Sequence, residues 1–307
     1  MKNAVVVTGA DGFIGSHFVR YLSKLGITVY ALIMVNSPKR DCICGIHGVH
    51  VVEYDLMTNA IPSEELPQSP CAFFHLAWAG VSPEERDNFD TQMDNVRMAM
   101  NAVRIASGIR AQKFILPGST MEYINSDSCI GGSTLPRPQN AYGAAKVAAR
   151  FFCSTLCDKI NVPFIYTVIA SIYSADRIDN NVIYYTIQKL INRECPSLTA
   201  LIQQWDYVHI DDVTHALYLI AESGRSGAFY VIGHGDNWPL SRYIEIIRDL
   251  IDEQLPLGIG EIPYRNGIIP NICVDLSTLT SDTGFVPEIS FEDGIQTVIQ
   301  EMRLRMG

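Results

Sequence analysis

With 307 residues, 48% of them hydrophobic, and no low-complexity tract, the chain can bury a large core in one compact unit or two closely joined lobes. Its 33 acidic and 23 basic residues give a formal net charge of −10, which leaves no basic stripe to neutralise phosphates and argues against nucleic-acid binding. No apolar run approaches a membrane span, and Asp11 with three glycines interrupts the N-terminal one, so neither an anchor nor a signal peptide is expected.

Ala4-Val5-Val6-Val7 is a short β-branched run suited to a buried parallel strand, and Phe18, Leu22 and Leu25 further on fall at helical spacing. Between them lies Thr8-Gly9-Ala10-Asp11-Gly12-Phe13-Ile14-Gly15. In this strand, turn and helix order Gly9 supplies the tight turn, Gly12 lets backbone approach a pyrophosphate, and Gly15 lets the helix pack on the strand. Val29–Ile33 reads as a second strand. A dinucleotide-binding fold usually places an acid at its end to hold the ribose hydroxyls. Here Met34-Val35-Asn36-Ser37-Pro38-Lys39-Arg40 follows, with no carboxylate to repel a 2′-phosphate, and Ser37, Lys39 and Arg40 could bind one. The reading favours NADP(H), with NAD(H) as the alternative.

The stretch from Pro62 to Pro70 reads as a surface connection. Strands at Ala72-Phe73-Phe74 and Phe114-Ile115-Leu116 follow, the second running to Ser119. Tyr142-Gly143-Ala144-Ala145-Lys146 places a phenol and an ammonium one helical turn apart on one face. A phenol is a poor acid or base at neutral pH unless a nearby cation stabilises its phenolate, and Lys146 can do that for Tyr142. Ser119 would share a hydrogen bond at the reacting oxygen. Strand and helix patterns alternate to about Ile169, giving an α/β, doubly wound parallel sheet. Residues 1–172 are expected to form this dinucleotide-binding unit, with 205–232 returning to the sheet. Residues 173–204 and 233–307 are expected to build a smaller substrate-binding lobe. Of the eight cysteines, Cys42 and Cys44 are too close for a zinc knuckle, and Cys153 with Cys157 is a helix-face pair lacking partners. Free buried thiols in a reducing, cytoplasmic compartment and no metal site are expected.

The spacing Gly9-x-x-Gly12-x-x-Gly15 resembles the extended short-chain dehydrogenase/reductases, specifically the NAD(P)-dependent nucleotide-sugar epimerase/dehydratase family. His75-Leu76-Ala77, Asp55-Leu56, Asn95-Val96, Trp205-Asp206-Tyr207-Val208-His209-Ile210-Asp211-Asp212-Val213 and Arg265-Asn266-Gly267 followed by Asp275 agree with it. The resemblance spans nearly the whole chain. It implies a Rossmann fold, a homodimer formed through paired helices, with Val147, Phe151 and the 95–106 segment as candidate faces, and a nucleotide-diphosphate sugar as substrate. It implies Ser119, Tyr142 and Lys146 as catalytic residues. The cofactor would meet Gly9, Asp11, Gly12, Phe13, Ile14, Gly15, Asn36, Ser37, Arg40, Asp55, Leu56, Leu76, Ala77, Trp78 and Asn95, together with Tyr142 and Lys146. The substrate would meet Gly80, Thr120, Arg177 and Arg265.

Departures from the family's pattern narrow the reaction. Sugar-nucleotide 4,6-dehydratases follow the serine or threonine with an Asp-Glu type pair, whereas Thr120 and Met121 stand here. Glu122 is one residue later and, in an extended segment, would point to the opposite side. Epimerase-reductases that make fucose nucleotides carry a cysteine in the place of Met121. Simple hydride transfer at one carbon remains: NADPH-dependent reduction of a nucleotide-linked 4-keto-(6-deoxy)hexose, or 4-epimerisation with bound NAD. The missing ribose-binding acid favours the reductase. A non-catalytic dinucleotide-binding protein is the minor alternative. Ala170 and Trp205 stand where arginines are common, and His75, His209 and His234 read as structural.

Overall fold

The computed structural model describes residues 4–58, 60–62, 64–124, 128–177, 181–264 and 270–306. In chain order the first half consists of β1 (Val5–Thr8), α1 (Phe13–Lys24), β2 (Val29–Ile33), β3 (Val49–Glu53), β4 (Ala72–His75), α2 (Phe89–Gly108), β5 (Phe114–Ser119), α3 (Ala141–Ile160) and β6 (Phe164–Ile169). The second half adds β7 (Ser171–Tyr173), α4 (Val182–Ile191), β8 (Ser197–Leu198), β9 (Gln204–Trp205), β10 (Tyr207–His209), α5 (Ile210–Ser223), β11 (Phe229–Ile232), β12 (Trp238–Pro239), α6 (Leu240–Ile251), β13 (Gly258–Ile259), α7 (Ser277–Thr283) and α8 (Phe291–Met306).

Seven strands form one parallel sheet in the order β11-β6-β5-β4-β1-β2-β3. The order reverses at β1, so the crevice between the ends of β1 and β4 is the place where a doubly wound sheet takes its ligand. Val5, Val6 and Val7 are fully buried, as expected of a strand covered on both faces. Helix α1 lays Phe18, Val19 and Leu22 on the sheet, and Phe18 meets Phe74 edge-on at 4.6 Å. Each such side chain contributes about 1.5–3 kcal/mol of burial. Leu25, expected to continue that stripe, is instead the C-cap of α1 and 49% exposed.

Side-chain caps set the helix starts that matter for the site. Asn88 accepts the Thr91 amide at the start of α2, and Asn140 accepts the Gly143 amide at the start of α3. A second hydrophobic cluster gathers Tyr184, Tyr207, Tyr243 and Phe291 with neighbours from α4, α6 and α8. Trp205 packs against both clusters and donates its indole N–H to Ser171 Oγ at 2.8 Å. Among the described residues no helix is long and apolar enough to cross a membrane.

The structure differs from the sequence expectation at two places. Residues 120–122 form a 3-10 turn rather than an extended segment, because Ser119 and Glu122 close a reciprocal capping box around it. Cys129 and Cys273, 144 residues apart, form a disulfide, so the thiols are not all free; Cys153 and Cys157 are the fully buried ones. The disulfide joins chain segments that also pair at Ile130 and Val274. Cysteine usage therefore no longer argues for a reducing compartment.

Candidate active site

The glycine turn is shaped by what lies against it. Gly9 has φ +64°, a conformation costly for other residues, and a Cβ there would stand 2.6 Å from Ala77 Cα. A Cβ on Gly15 would come 2.1 Å from the Gly9 carbonyl oxygen, so α1 seats directly on the turn. Gly12 caps α1 with no side-chain hydrogen bond, and the first turn holds no acid. The leading amides of α1 are thus offered to an anion.

Beside this turn is a cavity of about 490 Å³ whose wall includes Gly9, Asp11, Gly12, Ser37, Asp55, Leu56, Leu76, Ala77 and Trp78. Its size and its cradle, which a Cβ would fill, fit a dinucleotide. Phe13 and Ile14 pack on the main core at the first turn of α1.

Asn95, expected to meet the cofactor, has its side chain bonded to the chain leaving β4. Its Oδ1 accepts the Ala79 amide at 2.9 Å, and its Nδ2 donates to the Ala79 carbonyl at 2.9 Å and to Gln92 Oε1 at 3.1 Å. Those bonds, and full burial, make it the brace behind the chain leaving β4. Gln92 extends the brace, accepting Trp78 Nε1–H at 3.0 Å and donating to the Gly80 carbonyl at 2.8 Å.

Ser119 at the end of β5 lies beside Tyr142 in the first turn of α3. Burial pushes the Tyr142 phenol up to about 12, against the opposing pull of the Ser119 hydroxyl. The Tyr142 ring lies edge-on to Trp78 at 6.2 Å. Lys146, one turn further along α3 and buried, donates to the Pro117 carbonyl at 2.9 Å and lies 5.8 Å from the centre of the Tyr142 ring. Burial pulls its ammonium down, and the Glu122 carboxylate opposes this. Thr120 is buried in the 3-10 turn.

Glu122 does not point away. Its Oε1 accepts the Ser119 amide and the Tyr166 hydroxyl, each at 2.7 Å, and the carboxyl is fully buried beneath Ser119. Burial raises it to about 7. Arg86 is a residue that the sequence does not single out. Its carbonyl accepts the Tyr142 amide at 2.9 Å, and its charge lowers the Tyr142 phenol. No motif marks Arg86; only the packing of its loop on α3 brings it there.

The turn after β2 also differs from expectation. Glu53, the last residue of β3, is in register with Ile33, the last of β2. Its carboxylate accepts the Asn36 amide at 3.2 Å and pairs with Arg40 at 3.0 Å. Ser37 donates to Asp11. Carboxylates absent from the 34–40 segment are therefore supplied by a neighbouring strand and by the glycine turn. The guanidinium of Arg177 lies 4.2 Å over the Phe13 ring, at the start of α1. Arg265 falls outside the described residues.

Comparison with known proteins agrees with this geometry. A family model described as NAD dependent epimerase/dehydratase family matches residues 5–233. The chain belongs to that family. It is 23% identical to a GDP-6-deoxy-D-mannose reductase of Pseudomonas aeruginosa, over 100% of this chain and 99% of that one. It is 22% identical to a dTDP-4-dehydro-6-deoxyglucose reductase of Escherichia coli, over 99% of each. Its fold is similar, at TM-score 0.86 and 22% identity over 100% of both chains, to a UDP-N-acetylglucosamine 4-epimerase from Methanobrevibacter ruminantium M1 in complex with UDP-N-acetylmuramic acid. In this member of the NAD-dependent epimerase/dehydratase family, Met121 stands two residues after Ser119 and the buried Glu122 three residues after it.

Proposed function

We propose that the chain is a nucleotide-sugar oxidoreductase that reduces a nucleotide-linked 4-keto-(6-deoxy)hexose at C4. The observation that carries the oxidoreductase chemistry is the meeting of Ser119, Tyr142 and Lys146 where β5 ends and α3 begins, beside a dinucleotide-sized cavity. Two curated relatives matched end to end are named as reductases. The acid nearest Ser119 has its Oε1 engaged by the Ser119 amide and the Tyr166 hydroxyl, which speaks for simple hydride transfer over dehydration.

When bound, a reduced nicotinamide supplies hydride to C4. Tyr142, whose burial keeps the phenol protonated at neutral pH, gives its proton to the carbonyl oxygen as that oxygen gains charge. Ser119 holds the oxygen beside the phenol. Lys146 stabilises the phenolate left behind. The wall held by Asn95 and Gln92 keeps Trp78 and Gly80 in place beside these groups.

A 4-epimerase would use the same residues, so the test must separate net reduction from return of the hydride. Absorbance at 340 nm is followed on mixing the protein and reduced dinucleotide with nucleotide-linked 4-keto-6-deoxy sugars. Stoichiometric loss with one of them, abolished by Tyr142→Phe, supports the reductase. No loss, together with NAD released on denaturation and interconversion of 4-epimers, overturns it in favour of the epimerase.

A homodimer is part of the same proposal. Phe89, Met93, Phe151 and Phe152 on α2 and α3 are each more than half exposed, while the 95–106 segment turns Val96, Ala99, Ala102, Val103, Ile105 and Ala106 into the core. A second copy would cover the exposed four, and light scattering of the eluted protein tests this.

A further inference from the structure

We propose that the chain selects against a 2′-phosphorylated dinucleotide through two carboxylates, Asp11 and Glu53, acting in different ways. The inference rests on the reading that the cavity beside the glycine turn holds a nicotinamide dinucleotide. It reverses the preference that the 34–40 segment suggests when read alone.

The segment offers a 2′-phosphate four groups: the Asn36 backbone, the Ser37 hydroxyl, and the charges of Lys39 and Arg40. In the folded chain three of the four are held by carboxylates. Asn36 sits in the left-handed region at φ +56° and points its amide at Glu53 Oε2 at 3.2 Å. Arg40 Nη1 lies 3.0 Å from Glu53 Oε1, so both oxygens of that carboxylate are engaged by the turn. Ser37 donates its hydroxyl proton to Asp11 Oδ2. The parallel register that pairs Ile33 with Glu53 sets the glutamate level with the end of β2, one strand further out.

The two acids contribute differently. Asp11 lines the cavity itself, as does Asp55, against Lys39 as the wall's cation. A phosphate monoester adds about −1.5 to −2 of charge at neutral pH. Brought to this wall, it would face Asp11 while its natural hydroxyl partner, Ser37, is already donating to that carboxylate. Glu53 acts indirectly, by neutralising the guanidinium that would otherwise serve as a bidentate phosphate ligand. Release of Arg40 would leave Glu53 without its cation and the Asn36 amide facing a free carboxylate. Ribose hydroxyls, by contrast, can donate to a carboxylate without any change of charge.

Isothermal titration with NAD+ and NADP+ tests the inference on the whole protein without recourse to turnover. The unaltered chain is expected to bind NAD+ at least about tenfold more tightly than NADP+. Asp11→Asn is expected to narrow that ratio mainly by tightening NADP+. Glu53→Gln keeps a carbonyl oxygen for the Asn36 amide, releases Arg40, and is expected to narrow it again; adding Arg40→Ala to Glu53→Gln should remove that second gain. The two variants report independently, so a folding defect in one, read from its thermal melt, leaves the other to decide. Equal or tighter binding of NADP+ by the unaltered chain overturns the inference, as does a ratio that neither variant moves. Binding of neither dinucleotide overturns the dinucleotide reading itself and this inference with it, whereas the discrimination alone fails when both bind alike.

Discussion

Lys146 holds its ammonium 3.7 Å above the centre of the Trp78 ring while donating to the Pro117 carbonyl at 2.9 Å. An indole at the end of β4 and a carbonyl of β5 thus fix from two sides a charge that burial alone would expel. The helical spacing of Tyr142 and Lys146 brings the two residues to one face, but these two contacts decide where on that face the charge stands. Cation–π contact of this kind is worth about 0.5–2 kcal/mol.

Lys146→Met should therefore lower kcat by about 10²–10⁴-fold, the usual range for losing a group engaged in proton transfer. Trp78→Leu should act in the same direction but far more weakly, by about 2- to 30-fold, because it removes the π face and leaves the Pro117 bond. Steady-state kinetics on both variants checks the order. A Trp78→Leu loss equal to that of Lys146→Met would mean that the indole touches the reacting groups rather than placing the lysine.

Glu122 lies under Ser119 with one oxygen, Oε1, serving two donors. Glu122→Leu strands the Ser119 amide and the Tyr166 hydroxyl, and each buried donor left unpaired costs about 1–3 kcal/mol. Glu122→Gln keeps an acceptor but removes the charge that holds the Lys146 ammonium up. Denaturant melts should show the leucine variant clearly less stable and the glutamine variant less affected. In the pH profile of kcat, the limb set by Lys146 should move to lower pH for the glutamine variant. An unmoved limb would show that the carboxylate has only a structural role.

His75 is buried beside Thr8, with Nδ1 2.8 Å from the threonine hydroxyl. Burial, aided by the Lys146 charge, lowers it to about 3 from an ordinary 6.5. The unfolded chain therefore takes up this proton below pH 6.5 while the folded chain resists it down to about 3. Stability present above pH 6.5 is lost as the pH falls, with a slope approaching about 1.4 kcal/mol per pH unit. Urea unfolding at pH 7 and pH 5 should show this loss, and His75→Phe should flatten it. The same slope in both proteins would assign the acid sensitivity elsewhere.

The Cys129–Cys273 disulfide leaves six free cysteines of the eight. Thiol titration of protein unfolded without reductant should count six, rising to eight after reduction. The bridge closes a loop of 144 residues, for which loop entropy gives about 4–5 kcal/mol of stabilisation. Reduction, or Cys129→Ser, should therefore lower the melting temperature measurably. A count of eight without reductant would refute the bridge.

The amino-acid sequence by itself determined the parts that depend on local rules. A β-branched run, glycines at intervals of three and an apolar stripe at helical spacing can be satisfied only by strand, tight turn and helix, as the contacts of Gly9 and Gly15 show. The i, i+4 spacing of Tyr142 and Lys146 likewise survives folding because both residues ride on one helix. Tertiary structure alone decided what depends on neighbours distant in the chain. Glu53 reaches Asn36 and Arg40 from the next strand, so no reading of residues 34–40 could show that charge. Asn95 is consumed by Ala79 across the gap between a helix and a strand end. Glu122 turned inward because Ser119 and Tyr166 offered it donors that outweighed continuing as a strand. Local sterics are written in consecutive residues, whereas the partner that a polar group finds when it is buried depends on which strands the fold sets side by side.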